Sequence, residues 1–211
     1  MIIKGYDIML HQLREEHIEM VRNWRNSQKI AKYMEYREMI SPDMQRKWFS
    51  GLDDLLDFYF VIEYNEEFIG LIHVANINWA LGSGDAGLFI YDNRYLNTHI
   101  PVLSSLSMLD ALFSVFPLQA VTAKVMAGND TAAKYNTRLG FQLVPGQEGM
   151  QFQQYRLEKE VYNAATEKLR GKMSSVAPYG VILQLSSEEY GYLKSNTLIA
   201  HEELIQVMPT A

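Results

Sequence analysis

The sequence contains no cysteine, which excludes disulfide bonds, thiolate metal sites and cysteine nucleophiles. It also lacks an apolar run close to the roughly 20 residues that a membrane-spanning helix needs. The first residues show no small-residue cleavage site of the kind that ends a signal peptide. From these absences we expect a cytoplasmic protein that has no membrane partner.

Positive charge and clustered metal ligands are scarce as well. The chain carries 19 Lys and Arg against 25 Asp and Glu, a formal net charge of -6. A protein that binds nucleic acid without regard to sequence needs a basic face, so nucleic acid is not an expected partner. The five histidines are scattered, with no two at ligand spacing on an obvious helix, and we expect no metal site.

The chain does have the composition of a soluble globular protein: 211 residues, 48% hydrophobic and 21% charged. Between residues 7 and 158 the apolar patterns predict the order strand, helix, helix, three strands, helix, strand, helix, strand. Helical spacing over residues 14–34 predicts the first helix, and Ser41 before Pro42 predicts the start of the second. The β-rich runs on either side of Asn65-Glu66 predict a hairpin. This order predicts an α+β fold with a mixed, mostly antiparallel central sheet flanked by helices.

The residues after position 158 differ in character. They predict a polar helix, a linker over residues 174–180, a strand over residues 181–185 and a short capped helix. We expect one domain over residues 1–158 and a C-terminal helical or mixed extension over residues 159–211. The extension could add to the sheet, cover a face of the domain, or mediate association such as a homodimer, and composition does not choose among these roles.

The segment NRYLNTHIPVLSS, residues 93–105, joins a strand-like run to a helix-like run. Such junctions often bind phosphate groups, because free amides at a helix N-terminus attract anions. Phosphate-binding loops normally carry glycines, whereas this one has Asn97, His99 and Pro101 where small residues are expected. Asn97 can adopt the positive φ that a glycine would supply, and a charged His99 imidazolium could pair with phosphate. Pro101 removes one amide donor.

Three segments together resemble the GNAT acyl-CoA N-acyltransferases over residues 6 to 158. YDNRYLN (91–97) is similar to the family segment that leads from the fourth strand into the pyrophosphate loop. VRNWRNSQKIAKYM (21–34) resembles the start of members that acetylate nucleotide-linked amino sugars and, more loosely, of ribosomal-protein N-terminal acetyltransferases. The most specific segment, NDTAAKYNTRLGF (129–141), matches the family's Asn-x-x-Ala/Ser...Lys/Arg-x-Gly-Phe helix ending at Asn129, Ala132, Arg138, Gly140 and Phe141.

The resemblance implies a sheet in which two central strands splay apart and acetyl-CoA, the co-substrate, lies in the gap. Amides at the start of the helix near residue 99 would hold its pyrophosphate. The residues implied for CoA binding are Phe89, Ile90, Tyr91, Leu96, Asn97, Thr98, His99, Ile100, Val102, Asn129, Ala132 and Arg138.

An acceptor amine must lose a proton before it attacks a thioester, so a general base is useful near the strand ends. Asp85 occupies a strand position where related enzymes often carry an acidic residue. It could act as the base, hold the substrate ammonium, or cap the strand start after Gly84. The unperturbed pKa of a histidine, near 6.5, would suit His73 to proton removal at neutral pH, although a lone strand histidine can also be a hydrogen-bonded core residue.

The departing thiolate is often protonated by a Tyr in this family. When the sequence is aligned on Asn129 and Phe141, that position holds Asn136, which can form hydrogen bonds but is a poor proton donor. Tyr135 stands one residue earlier, about 100° around the helix, and we expect it to point into the core.

Three residues near the first helix are expected on the acceptor side. Trp24, Glu35 and Tyr36 are candidates for substrate binding. Trp24 could instead pack in the core, and Glu35 could belong to a solvated loop.

Three functions remain open from the sequence. One is an acyl-CoA-dependent N-acetyltransferase that moves an acetyl group to a primary amine of a nucleotide-linked amino sugar, by direct attack on the thioester. The second keeps this chemistry but acetylates a protein or peptide N-terminus. The third is a GNAT-fold binding or assembly module without catalysis, which the glycine-free loop and Asn136 favour.

Overall fold

A single mixed sheet runs through the computed structural model, which describes residues 1–173 and 180–209. Its strands in this part of the chain are β1 (Ile2–Gly5), β2 (Ile8–Gln12), β3 (Phe58–Tyr64), β4 (Glu67–Asn78), β5 (Ser83–Ile90), β6 (Ala120–Met126), β7 (Gln142–Leu143), β8 (Phe152–Glu158), β9 (Val181–Ser186) and β10 (Ile205–Met208). They lie in the order β10-β9-β1-β2-β3-β4-β5-β6-β8-β7. The pairs β5–β6 and β9–β10 are parallel and the other neighbours are antiparallel, which confirms the predicted fold class.

Eight helices accompany the strands in the described residues. They are α1 (Glu15–Asn26), α2 (Gln28–Ala31), α3 (Pro42–Ser50), α4 (Asn93–Leu96), α5 (Ile100–Val115), α6 (Asp130–Leu139), α7 (Lys159–Met173) and α8 (Ser187–Ser195). Ser41 caps α3 as predicted, because its side chain accepts a hydrogen bond from the Met44 amide. The helix over residues 14–34 was predicted as one element, but it breaks at Ser27, whose extended backbone separates α1 from α2.

Two tight turns connect neighbouring strands among β1 to β4. Asn65 and Glu66 both have positive φ, 52° and 64°, and form the predicted hairpin between β3 and β4. Tyr6 and Asp7 adopt the same left-handed region, with φ of 54° and 61°, and join β1 to β2. Sequence reasoning missed β1 because neither residue of this turn is a glycine or asparagine.

The helices divide between the two faces of the sheet. α1 and α3 cover one face, where a buried cluster contains Ile18, Val21, Trp24, Val61 and Leu71. α5 covers the other face and is buried over most of its surface, since the main core of the protein surrounds it. The β5–β6 region, where the candidate site lies, is therefore reached by helices from both sides.

The C-terminal extension adds to the sheet. β9 pairs with β1 in antiparallel register and β10 pairs with β9 in parallel register. The predicted short helix is confirmed as α8, which Ser186 and Glu189 cap reciprocally. The predicted linker lies outside the described residues except for Gly180, and the domain boundary at residue 158 remains a proposal. In the described ranges, no helix has both the length and the hydropathy needed to cross a membrane.

Candidate functional site

The two central strands β5 and β6 separate part-way along their length. Their register runs from Ser83 opposite Ala120 to Ala86 opposite Ala123 and then stops. Beyond these pairs lies a cavity of about 210 Å³, bounded by the free halves of both strands and by α5 and α6. The structure thus contains the splayed gap that the family resemblance implies.

The loop that enters α5 makes its turn without a left-handed residue. Asp92 accepts a hydrogen bond from the Arg94 amide and starts the single turn of α4. Asn97 follows with φ of -104°, and no residue from 93 to 102 has positive φ. The expectation that Asn97 replaces a glycine by adopting positive φ is therefore wrong. Glycine is not needed because α4 reverses the chain with ordinary helical geometry.

Most amides of this loop already have internal partners. The Ile100 N–H donates to Thr98 Oγ1 at 3.2 Å, and the Leu103 N–H donates to the His99 carbonyl at 3.0 Å. Pro101 has no N–H to offer. In the described part of the chain, only the amides of His99 and Val102 at this helix start have no hydrogen-bond partner. The side chains of Asn97, Thr98 and His99 are exposed beside these two amides.

Helix α6 forms the opposite wall of the gap. Asn129 caps it, since Oδ1 accepts a hydrogen bond from the Ala132 amide at 3.2 Å. Asn129, Ala132 and Asn136 line the cavity, and the side chain of Asn136 is 9% exposed. Arg138 is exposed on the outside of the helix and does not line the cavity.

Tyr135 packs against the main core, as expected, and also lines the gap. Its hydroxyl donates to the Pro101 carbonyl at 2.8 Å and lies 2.6 Å from Ser105 Oγ. Burial raises the pKa of Tyr135 above its ordinary value. The residue therefore joins α6 to the first turns of α5 as a neutral phenol.

His73 stands where the gap meets the face of the sheet under α1. It lies opposite Gly87 in the β4–β5 register, lines the gap and stacks on Tyr59, with ring centroids 4.7 Å apart. A Cβ atom on Gly87 would lie 2.3 Å from His73 Cε1, so the glycine provides the space for the imidazole. Burial, together with the nearby Arg25 guanidinium, lowers the pKa of His73 to about 4. The ring is neutral at physiological pH.

Asp85 lies on the same face of the sheet, opposite Ala75, but does not line the gap. Its carboxylate is exposed and accepts a hydrogen bond from Asn76 Nδ2 at 3.0 Å. Asn76 has φ of 50° at an irregularity in β4, which turns its amide toward the carboxylate. The structure therefore brings His73 and Asn136 to the gap and leaves Asp85 beside it.

The other residues implied for CoA binding divide between the gap and the core. Phe89, Ile90 and Leu96 line the gap. Tyr91 does not: its ring stacks on Trp24, with centroids 5.4 Å apart, and Lys29 Nζ lies 3.5 Å from its centroid. Tyr91 fixes α1 and α2 on the sheet.

The three residues expected on the acceptor side lie in three different environments. Trp24 is only 6% exposed and packs in the cluster under α1, which argues against contact with a substrate. Glu35 pairs with Lys124 Nζ at 3.2 Å, so the loop after α2 crosses to β6 beside the gap. Tyr36 is exposed and lines a second cavity of about 270 Å³.

Sequence reasoning missed two polar residues of this second cavity. Arg25 on α1 and Gln45 on α3 both line it, although 20 positions separate them. Neither has a signal that distinguishes it from a solvated helix residue. Among residues 1–173 and 180–209, no group of three or more acidic or histidine side chains is arranged to hold a metal ion.

A family model described as an acetyltransferase (GNAT) domain matches residues 7–142, more than half of the chain. The chain belongs to the GNAT family. The match includes the gap, the loop before α5 and all of α6. No curated protein sequence matches the chain significantly.

Several solved structures share the fold of this GNAT protein. Apo FdhC, a nucleotide-linked sugar GNAT, is 20% identical with a TM-score of 0.67, over 81% of this chain and 97% of that one. Spermidine N-acetyltransferase from Vibrio cholerae, in complex with CoA and spermine, is 18% identical with a TM-score of 0.66, over 74% and 98%. Mycobacterium smegmatis RimJ, in complex with CoA-disulfide, is 17% identical with a TM-score of 0.64, over 82% and 94%. At these identities the likeness concerns the fold alone.

Proposed function

We propose that this protein is an N-acetyltransferase that moves the acetyl group of acetyl-CoA to a primary amine of a nucleotide-linked amino sugar. The observation that carries the proposal is the gap between β5 and β6, with free amides at one end and His73 at the other. The amides of His99 and Val102 are suited to the pyrophosphate. The apolar walls formed by Phe89, Ile90 and Ala132 are suited to the pantetheine arm.

The reaction proposed here is a direct transfer. The acceptor amine attacks the thioester carbonyl carbon, so that a C–N bond forms as the C–S bond breaks. The nitrogen gives up one proton and the departing thiolate takes one up, which leaves an acetamide and CoA. His73 is neutral and lines the gap, so its free ring nitrogen can accept the amine proton directly or through water. Its low pKa makes it a weak base, so it accepts this proton as the C–N bond forms and the nitrogen becomes more acidic.

Asn136 is proposed to steady the leaving group. Its amide faces the gap from α6 and can donate a hydrogen bond to sulfur, while solvent supplies the proton. Asp85 is proposed to hold the acceptor ammonium before deprotonation, since the carboxylate is exposed beside the gap. On this view Asp85 contributes to binding and His73 contributes to proton removal.

The choice of a sugar-nucleotide acceptor has two supports. FdhC, a nucleotide-linked sugar GNAT, is among the structures with the same fold. The second cavity also presents aromatic side chains, Tyr36 and Trp48, on which a base or sugar ring could stack.

A turnover assay with three acceptors tests the proposal. Purified protein and acetyl-CoA are incubated with an amino-sugar nucleotide, spermidine or a peptide with a free N-terminus, and acetylated product is detected by mass spectrometry. We expect the amino-sugar nucleotide to be acetylated and the spermidine and peptide to react at least about tenfold more slowly. Acetylation of the peptide alone would support the protein-acetyltransferase alternative. No product from any acceptor, with CoA still bound, would support the binding-module alternative.

Variants separate the proposed roles of the two candidate residues. Asp85→Asn should raise KM for the amine, whereas His73→Asn should lower kcat, and both should still bind acetyl-CoA. Full activity of either variant would remove that residue from the mechanism.

A further inference from the structure

The second cavity, called here the Arg25 cavity, lies between α1, the loop after α2 and α3. Most of its wall is apolar or aromatic. Its lining residues are Val21, Arg25, Tyr36, Ile40, Met44, Gln45, Trp48 and Leu71. A cavity of this size, about 270 Å³, can hold part of a small-molecule acceptor.

Two polar donors of the Arg25 cavity have no hydrogen-bond partner among the described residues. Gln45 is only 5% exposed, and its Nε2 atom is buried without a hydrogen bond in the described part of the chain. Arg25 Nε is buried in the same state, and no ion pair or hydrogen bond of the Arg25 side chain occurs within residues 1–173 and 180–209. By contrast Arg22, one turn earlier on α1, binds both carboxylate oxygens of Glu19 and the Ile40 carbonyl.

An unpaired cation among apolar side chains is costly, and so is a buried amide without an acceptor. Burial lowers the pKa of Arg25, because the charged form is desolvated there. Both groups donate hydrogen bonds at these atoms, so a ligand that satisfies both supplies acceptors such as oxygen atoms. A negative charge on that partner also neutralises the guanidinium. A polyamine has neither property and would be repelled.

The Arg25 cavity also lies close to the proposed reaction centre. Leu71 lines the cavity, and His73 follows two residues later on the same face of β4, a separation of about 7 Å. Trp48, another lining residue, packs edge-on against Tyr59, which stacks on His73. One acceptor molecule can therefore place one group in the Arg25 cavity and another beside His73.

We propose that the acceptor carries an oxyanion, a carboxylate or a phosphate, which binds Arg25 and Gln45 while the amine faces His73. The position of the amine rests on the function proposed above, whereas binding of the oxyanion does not. The pair Arg25 and Gln45 would then select acidic acceptors over neutral and cationic ones.

Binding of matched aromatic probes tests the proposal without catalysis. Benzoate, phenyl phosphate and the neutral benzyl alcohol are each titrated into the full-length protein without acetyl-CoA, by calorimetry or NMR. We expect one or both anions to bind at least about tenfold more tightly than benzyl alcohol. Tighter binding of benzoate identifies a carboxylate acceptor and tighter binding of phenyl phosphate identifies a phosphate acceptor.

Variants assign that binding to the Arg25 cavity. Arg25→Met should reduce anion affinity about tenfold or more, Gln45→Leu should reduce it less, and Arg25→Lys should restore part of it. Arg46→Met removes an exposed charge from α3 and should change nothing, and His99→Ala should leave this binding intact because it lies at the other anion site. Equal affinity for benzyl alcohol and the anions, or equal anion affinity in wild type and Arg25→Met, would overturn the proposal. Anion binding that depends on Arg25 in a protein that never turns over an amine would leave it standing while the proposed function fails.

Discussion

Two polar clusters lie on opposite faces of the sheet, and they differ in whether their charged groups have hydrogen-bond partners. On α5, Asp110 accepts hydrogen bonds from Tyr6 at 2.6 Å, Tyr162 at 2.8 Å and Arg170 at 2.6 Å. Under α1, Arg25 and Gln45 have donors with no acceptor in the described residues. The first cluster pairs its charges within the chain, whereas the second would be completed by the oxyanion proposed above.

This difference separates residues that hold the fold from residues that serve a ligand. The Asp110 cluster ties α7 to α5 and to the β1–β2 turn, so its loss should be felt as instability. The Arg25 cavity instead holds a desolvated charge that weakens the fold, as functional sites commonly do. His73 belongs with the second group, because its ring is kept neutral at the edge of the gap.

The largest effect on stability is expected when the hydrogen bonds of the Asp110 cluster are broken. Asp110→Asn leaves the half-buried Arg170 cation without its carboxylate and should lower the free energy of unfolding by about 3 kcal/mol. Urea denaturation measures the change, with Glu167→Gln on the exposed side of α7 as control. Acetyl-CoA affinity of the folded variant should not change. A loss below about 0.5 kcal/mol would mean that the cluster does not hold α7 in place.

In the gap between β5 and β6, the substitution Gly87→Ala should reduce activity. The new Cβ would meet His73 Cε1 at 2.3 Å and displace the ring from Tyr59. A misplacement of this size can reduce turnover about 100-fold. Steady-state kinetics with the best acceptor from the turnover assay measures it, with Gly149→Ala as control because space there is open. Unchanged kcat would show that the position of His73 does not matter for the reaction.

The stability of the protein should depend on pH in a way that reflects the low pKa of His73. Its pKa is about 4 in the folded protein and near 6.5 in the unfolded chain, so between these values the unfolded state binds more protons. This residue should therefore contribute its whole stabilisation above pH 6.5, and the free energy of unfolding should fall by about 3 kcal/mol as the pH drops to 4. The difference between wild type and His73→Asn across this range isolates the contribution. A difference that is flat with pH would contradict a half-buried, neutral imidazole.

The smallest expected effect is an increase, rather than a decrease, in the free energy of unfolding. Arg25→Met removes an unpaired, desolvated cation and should raise the free energy of unfolding by about 1 kcal/mol. Arg46→Met, on the exposed side of α3, should leave it within about 0.5 kcal/mol. If Arg25→Met is destabilising, Arg25 belongs to the architecture and the contrast with the Asp110 cluster disappears.

Local features of the chain could be predicted from sequence because their causes are local. The Asn65-Glu66 hairpin, the Ser41 cap and the left-handed Gly140 after α6, with φ of 101°, depend on residues next to each other. The position of the gap came from the family resemblance rather than from periodicity. The β1–β2 turn was missed because Tyr6 and Asp7 adopt positive φ only with the support of the strands they join.

The Arg25 cavity could not be predicted for a different reason. Arg25 and Gln45 meet only when α1 and α3 pack side by side, and neither sequence position shows that its donors will lack partners. The same holds for His73 and Gly87, which face each other through the register of β4 and β5. Polar groups of this kind become visible as a site only when burial and hydrogen bonding are known together.

The central claim is that the gap between β5 and β6 binds acetyl-CoA, and calorimetric titration of acetyl-CoA into the full-length protein tests it most directly. We predict saturable binding of one molecule per chain, weakened about tenfold in His99→Ala and unchanged in His201→Ala, an exposed histidine away from the gap. No detectable binding at millimolar acetyl-CoA would contradict the claim.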